Sequence, residues 1–164
     1  MQLERTRILL VEDDMDHAKL IKECFEDQRL TSHITHLPDG QAALDYLLHQ
    51  GEYSENDPNS NPDLILLDLR LRRVDGLKVL RTIKTTEGIK RIPVIILTTS
   101  SADRDLCEAY DLHANSYLVK PIGFDDFCRL IQDLETYWTN WNRQPTYVTQ
   151  GARSGDEQNT SVAR

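Results

Sequence analysis

Ile8-Leu9-Leu10-Val11-Glu12-Asp13-Asp14 sets four uninterrupted apolar residues directly against three acids. Hydrophobicity that is continuous rather than alternating marks a strand covered on both faces, as inside a parallel sheet. The same design returns downstream. Leu64-Ile65-Leu66-Leu67 stops at Asp68, Val94-Ile95-Ile96-Leu97 at Thr98-Thr99-Ser100, and Ser116-Tyr117-Leu118-Val119 at Lys120-Pro121. Ser32 to Leu37 is a weaker run of the same kind. Between these runs the apolar residues recur at helical spacing. The stripes are Ala18, Ile21, Cys24 and Phe25; Ala43, Leu44, Leu47 and Leu48; Val79, Leu80 and Ile83; Leu106, Ala109 and Tyr110; and Phe127, Leu130, Ile131, Leu134 and Trp138. Strand followed by helix, five times over, predicts an α/β domain with a doubly wound five-stranded parallel sheet flanked by five helices and right-handed crossovers.

The bulk properties fit one soluble domain. The chain has 164 residues, a net charge of −8 and 39% hydrophobic residues, enough for a core without metal or disulfide staples. An acidic balance argues against nucleic acid as a partner, which calls for clustered Lys and Arg. The apolar runs are too short to span a bilayer, and the charged opening through Arg7 is not a signal sequence, so a cytoplasmic protein without membrane contact is expected. Cys24, Cys107 and Cys128 are odd in number and widely spaced, and they read as small buried hydrophobes in a reducing compartment. The polar stretch from Gly51 to Pro62 reads as a solvent excursion, and the histidines (His17, His33, His36, His49, His113) show no metal-ligand spacing.

In an open parallel sheet the functional groups gather at the carboxyl ends of the strands. There the sequence places Glu12-Asp13-Asp14, Asp68, Thr98-Thr99 and Lys120. Acids so crowded raise one another's pKa unless a cation joins them, and carboxylate oxygens without His or Cys suit a hard ion such as Mg²⁺. A metal and an ammonium group beside a carboxylate are what allow an anionic nucleophile to approach a phosphoryl donor, and Asp68 is the natural nucleophile. Asp14, one place beyond the pair, reads as a helix N-terminal residue favoured by the macrodipole.

Five pieces, in order and in register over roughly residues 6 to 135, resemble a two-component response-regulator receiver domain. They are Val11-Glu12-Asp13-Asp14, Leu66-Leu67-Asp68, Asp75-Gly76, Leu97-Thr98-Thr99 and Tyr117-Leu118-Val119-Lys120-Pro121. The resemblance implies a flavodoxin-like receiver fold with strand order 2-1-3-4-5. It implies Asp68 as the phosphoacceptor for a sensor histidine kinase, and Mg²⁺ held by Glu12, Asp13, Asp68 and the backbone carbonyl of Arg70. Thr98 and Thr99 would meet the phosphoryl group, Lys120 would pair with it, Tyr117 would be an aromatic switch, and the bond to Pro121 would be cis. The family's usual Pro after the acceptor loop is absent, and Arg72-Arg73 stand there instead.

Tyr110-Asp111-Leu112-His113, Tyr137-Trp138 and the long loop before the third strand are similar to the single-domain regulators that partner bacterial and cyanobacterial phytochromes, which implies a phytochrome-like kinase. Residues 1–142 would be the receiver and 143–164 a polar tail. A last helix from Gly123 to about Asn142 would be roughly 30 Å long against roughly 20 Å for a strand, so Tyr137, Trp138 and Trp141 should overhang the sheet. Overhanging rings predict an interface, here a homodimer in which the tail is pinned. An aspartate-nucleophile phosphatase would need a second Asp two residues beyond Asp68, where Arg70 stands, so an enzyme is not expected. A phosphorylation-independent adaptor with the same fold is the other alternative, and five retained chemical positions speak against it.

Overall fold

In the computed structural model, the structure describes residues 6–26, 32–57 and 59–145. Strands and helices alternate along them: β1 (Arg7–Val11), α1 (Met15–Glu26), β2 (His33–Leu37), α2 (Gly40–Leu47), β3 (Leu64–Leu67), α3 (Gly76–Thr85), β4 (Val94–Thr98), α4 (Asp103–Asp111), β5 (Ser116–Val119) and α5 (Phe124–Thr136). All pairings are parallel, in the order β2-β1-β3-β4-β5. Val11 lies opposite both Leu37 and Leu67, so β1 and β3 end level and their polar followers meet at one rim.

Alternate side chains of the central strands feed two cores, which is what winding on both faces requires. Leu9, Val11, Ile65, Leu67, Val94 and Ile96 pack under α2 and α3. Ile8, Leu10, Leu64, Leu66, Ile95 and Leu97 pack under α1 and α5. Two helices open on side-chain caps, Asp39 accepting from the Ala42 N–H at 2.8 Å and Asp75 from the Leu77 N–H at 2.9 Å. Asp14 does the same for α1, accepting from the Asp16 and His17 N–H groups, as its place after the acidic pair predicts. No helix among the described residues is long and apolar enough to cross a membrane.

Several expectations are corrected. Cys24 and Cys128 are joined by a disulfide, with Cα atoms 5.4 Å apart, where α1 and α5 pack side by side. Their 104-residue separation hid the pairing, because sequence spacing does not say which faces of two distant helices meet. Cys107 is exposed on α4 rather than buried. The Lys120–Pro121 bond is trans, the form an X–Pro amide itself prefers by about 0.5–1 kcal/mol, and the Lys120 side chain still enters the rim. Tyr110 is exposed and leaves Ala109 as the buried residue of α4. The 51–62 loop is largely exposed where it is described, in line with a solvent excursion, and is anchored at its start. Gly51–Tyr53 forms a 3-10 turn, and Tyr53 meets Tyr46 edge to face at 5.3 Å.

The last helix passes into a π turn at Tyr137–Trp141 and stops at Asn142. Trp138 folds back onto the α1/α5 core, while Tyr137 and Trp141 stay exposed. The chain then returns to its own beginning. Gln144 donates to the Asp63 carbonyl, and the Asp63 carboxylate holds both the main chain and the guanidinium of Arg7. Most of the polar tail, from residue 146 on, lies outside the described residues.

Candidate functional site

Glu12, Asp68, Thr98 and Lys120 are buried polar residues at the carboxyl edge of the sheet, each directly at or after the last residue of its strand. Strand order brings them together: β1 and β3 are neighbours, β4 follows, and Lys120 reaches back from the edge strand β5. Its ammonium group lies 2.5 Å from Glu12 Oε2, 3.4 Å from Asp68 Oδ2 and 3.2 Å from His17 Nδ1. The other Asp68 oxygen, Oδ1, accepts from the Leu69 N–H at 2.7 Å and more loosely from the Arg70 N–H at 3.4 Å. One carboxylate oxygen is thus fixed by the backbone and the other faces the cation.

Burial pushes the Glu12 carboxyl up to about 7; the hydrogen bond and charge of Lys120 pull against that and the Asp68 charge adds to it. One ammonium group is shared by two buried acids, with Asp13 beside them, so the cluster is short of positive charge. Ligand oxygens of Glu12, Asp13 and Asp68 all lie within 4.8 Å of one another. Oxygen donors at that spacing, deficient in cation, fit a hard divalent ion. Asp13 is half-buried, and its nearest cation is Arg72, 3.5 Å away. The Arg70 carbonyl makes no hydrogen bond among the described residues.

Gly76 explains the Asp-Gly pair after the acceptor. A Cβ there would sit 2.3 Å from the Asp68 carbonyl oxygen and 2.6 Å from Leu69 Cα. Only glycine lets α3 begin directly against the backbone that carries Asp68.

The remaining predicted residues divide. Thr98 is fully buried, and its hydroxyl accepts from the Ser100 N–H at 3.3 Å. Thr99 is exposed and makes no side-chain hydrogen bond among the described residues. Tyr117 is half-buried with its hydroxyl donating to the Ser100 carbonyl at 3.0 Å, and burial raises its phenol. Tyr137, Trp138 and Trp141 lie on the π turn after α5, away from this rim.

Sequence reasoning missed three side-chain contacts. His17 falls one turn into α1, three residues beyond Asp14, a spacing that could have flagged it. His36 from β2 meets the Glu12 carbonyl at 2.8 Å. Arg70 reaches from the acceptor loop to Asp105 of α4 at 2.8 Å, a pairing no local pattern announces.

Residues 8–132 match the response regulator receiver domain. The chain is 50% identical over 139 residues to the probable methanogenesis regulatory protein FilR2 of Methanothrix harundinacea, covering 84% of this chain and 86% of that one. It is 43% identical over 131 residues to response regulator Rcp1 of Synechocystis, covering 80% and 87%. Among solved structures, the phosphorylated cyanobacterial phytochrome response regulator RcpA superposes with a TM-score of 0.81 at 36% identity, covering 87% of this chain and 99% of that one. The Mn²⁺-bound form of Rcp1 gives 0.80 at 38%, covering 86% and 99%. Sequence pattern, strand order and relatives agree: the chain belongs to the response regulator receiver domain family.

Proposed function

We propose that Asp68 accepts a phosphoryl group from a sensor histidine kinase in a Mg²⁺-dependent reaction, and that the chain signals through the protein-binding surface this alters. The observation that carries the reading is the buried trio Glu12, Lys120 and Asp68 at the open rim. Glu12, Asp13, Asp68 and the Arg70 carbonyl would hold the ion. Bound there, it neutralises charge on the phosphoryl oxygens. The Leu69 and Arg70 amides orient the Asp68 carboxylate, leaving Oδ2 on the side of Lys120 as the attacking atom. An oxygen–phosphorus bond forms there as the donor's bond to phosphorus breaks, the electron pair leaving with the donor. Lys120 then pairs with the transferred group, Thr98 and Thr99 supply hydroxyls at the end of β4, and Tyr117 follows the β4–α4 segment through its bond to Ser100. The chain is a phosphoacceptor that also takes small phosphodonors and resets by hydrolysis, rather than an enzyme acting on other substrates.

The structurally similar RcpA, a cyanobacterial phytochrome response regulator, supports a phytochrome-type kinase as the donor, and we place the exchange in the cytoplasm. FilR2 carries a methanogenesis-related name, and the receiver chemistry proposed is common to both settings. We place the receiver at residues 1–142, followed by the 143–164 tail. Exposed Tyr137 and Trp141 beside Trp138 support a homodimer through this end of the chain, and a concentration-independent monomer in sedimentation, with and without phosphorylation, would refute it. The acceptor itself is tested by intact-mass spectrometry after incubation with acetyl phosphate, with and without Mg²⁺. One phosphoryl adduct that requires the ion and disappears in Asp68→Asn is expected. No adduct under any condition leaves the adaptor reading.

A further inference from the structure

α4 is the least anchored of the helices. Its single buried residue is Ala109, where α1, α3 and α5 each bury four. It also begins without a side-chain cap, at Ala102. What ties its first turn to the body of the domain is Asp105. That carboxylate accepts from the Arg70 guanidinium at 2.8 Å and from the Ser100 hydroxyl at 2.6 Å, both on Oδ2. Ser100 is in turn the residue that holds Thr98 and Tyr117, through its N–H and its carbonyl. A continuous set of hydrogen bonds therefore runs from Asp68 through Arg70 and Asp105 to Ser100, and from there to both switch residues.

We propose that Arg70 is a positioning residue that acts as an electrostatic latch. In the unphosphorylated protein its guanidinium holds Asp105 and with it the start of α4. A phosphoryl group on Asp68 takes the guanidinium away and frees that helix. The inference rests on the reading of Asp68 as the acceptor and adds a route from that residue to one helix.

Charge decides the direction of the exchange. Asp105 offers one negative charge, whereas a phosphoryl group brings about −1.5 to −2 and three acceptor oxygens of the geometry a guanidinium matches. Arg70 is two residues from Asp68 and its N–H already points at that carboxylate, so its side chain leaves the backbone at the rim where those oxygens would stand. The side chain is largely exposed, 63%, and free to swing, while Asp105 is mostly covered at 17% and stays put. Once released, Asp105 keeps its bond to Ser100 and remains in the first turn of α4, where the helix macrodipole favours an acid. Letting go is therefore inexpensive, as a reversible latch requires.

The test is a double-mutant cycle on the full chain, titrated calorimetrically with beryllofluoride, a phosphoryl mimic, at fixed saturating Mg²⁺. Asp105→Asn frees Arg70 beforehand and should tighten binding roughly two- to five-fold, the range of a single partly exposed ion pair. Arg70→Ala should weaken it, Arg70→Lys should fall between, and Asp105→Asn should have no effect in the Arg70→Ala background. Amide exchange adds a readout in the unliganded protein. The hydrogen-bonded amides of Leu106 to Ala109 should exchange faster in Arg70→Ala, and the mimic should accelerate them in the wild type but not in that variant. Equal effects of Asp105→Asn with and without Arg70, or α4 exchange indifferent to Arg70, would overturn the latch while leaving the acceptor intact. A wild-type chain that binds no mimic would remove the acceptor reading and the latch with it.

Discussion

Breaking the Cys24–Cys128 bridge should cost this protein a large share of its stability. The bridge closes a loop of 104 residues, from late in α1 to the second turn of α5. Chain-entropy arguments assign about 4.7 kcal/mol to a loop of roughly 100 residues, and native bridges removed by mutation typically cost about 2–5 kcal/mol. For a chain of this size each kcal/mol moves the unfolding midpoint by about 2–4 °C, so reduction should lower Tm by about 9–19 °C on the chain-entropy figure. The assay is thermal unfolding of the full chain followed by circular dichroism, with and without a thiol reductant, beside Cys24→Ala/Cys128→Ala. The variant should unfold near the reduced wild type and ignore the reductant. Alkylation before reduction should label Cys107 alone, the exposed thiol. Three labelled cysteines in the oxidised folded chain, or a reductant shift under about 2 °C, would refute the entropic argument for this pair.

Metal-free protein should lose stability as pH rises. Glu12 titrates near 7 folded against 4.5 unfolded, so the folded state binds its proton more tightly, and that contribution is complete below the lower value and gone above the higher. The difference is worth about 3 kcal/mol, visible in urea unfolding with a chelator, abolished in Glu12→Gln and offset by excess Mg²⁺. Gly76→Ala should cost about 1–3 kcal/mol and slow adduct formation, since its Cβ would strike the backbone of Asp68, which the mass assay reads directly. Gly88→Ala, with nothing near its Cβ, should cost about 1–2 kcal/mol through its positive φ alone and leave phosphorylation unchanged. Asp63→Ala should cost about 1 kcal/mol by denaturant unfolding, having removed the partner of both the Arg7 N–H and its guanidinium.

The parts of this molecule legible from sequence are those set by short-range rules. Three strands, β1, β3 and β4, announced themselves because burial on both faces forces unbroken apolar runs, and the residues after them had to meet at one rim. β2 was fainter because an edge strand is half exposed, as His33, Ile34, Thr35 and His36 all are to some degree. One helix start was read from its capping side chain, at Asp14, while the caps at Asp39 and Asp75 emerged only with the structure. The Cys24–Cys128 bridge and the Arg70–Asp105 pair were not legible, because each depends on which faces of separate elements are brought together, and no spacing along the chain encodes that. Tyr110 illustrates the same limit: it sits at helical spacing with Leu106 and Ala109 yet falls on the solvent side of a helix that covers little.

The knot at Asp63, which gathers Arg7 and Gln144, has a consequence for engineering. Entry and exit of the domain lie side by side at the end of the sheet opposite the acidic rim. A short flexible linker would join them, and new termini opened in the 51–62 loop would give a circular permutant with every strand and every acid retained. A reporter joined just before Arg7 or just after Gln144 would likewise leave from the end of the sheet opposite the acidic rim, keeping that rim clear.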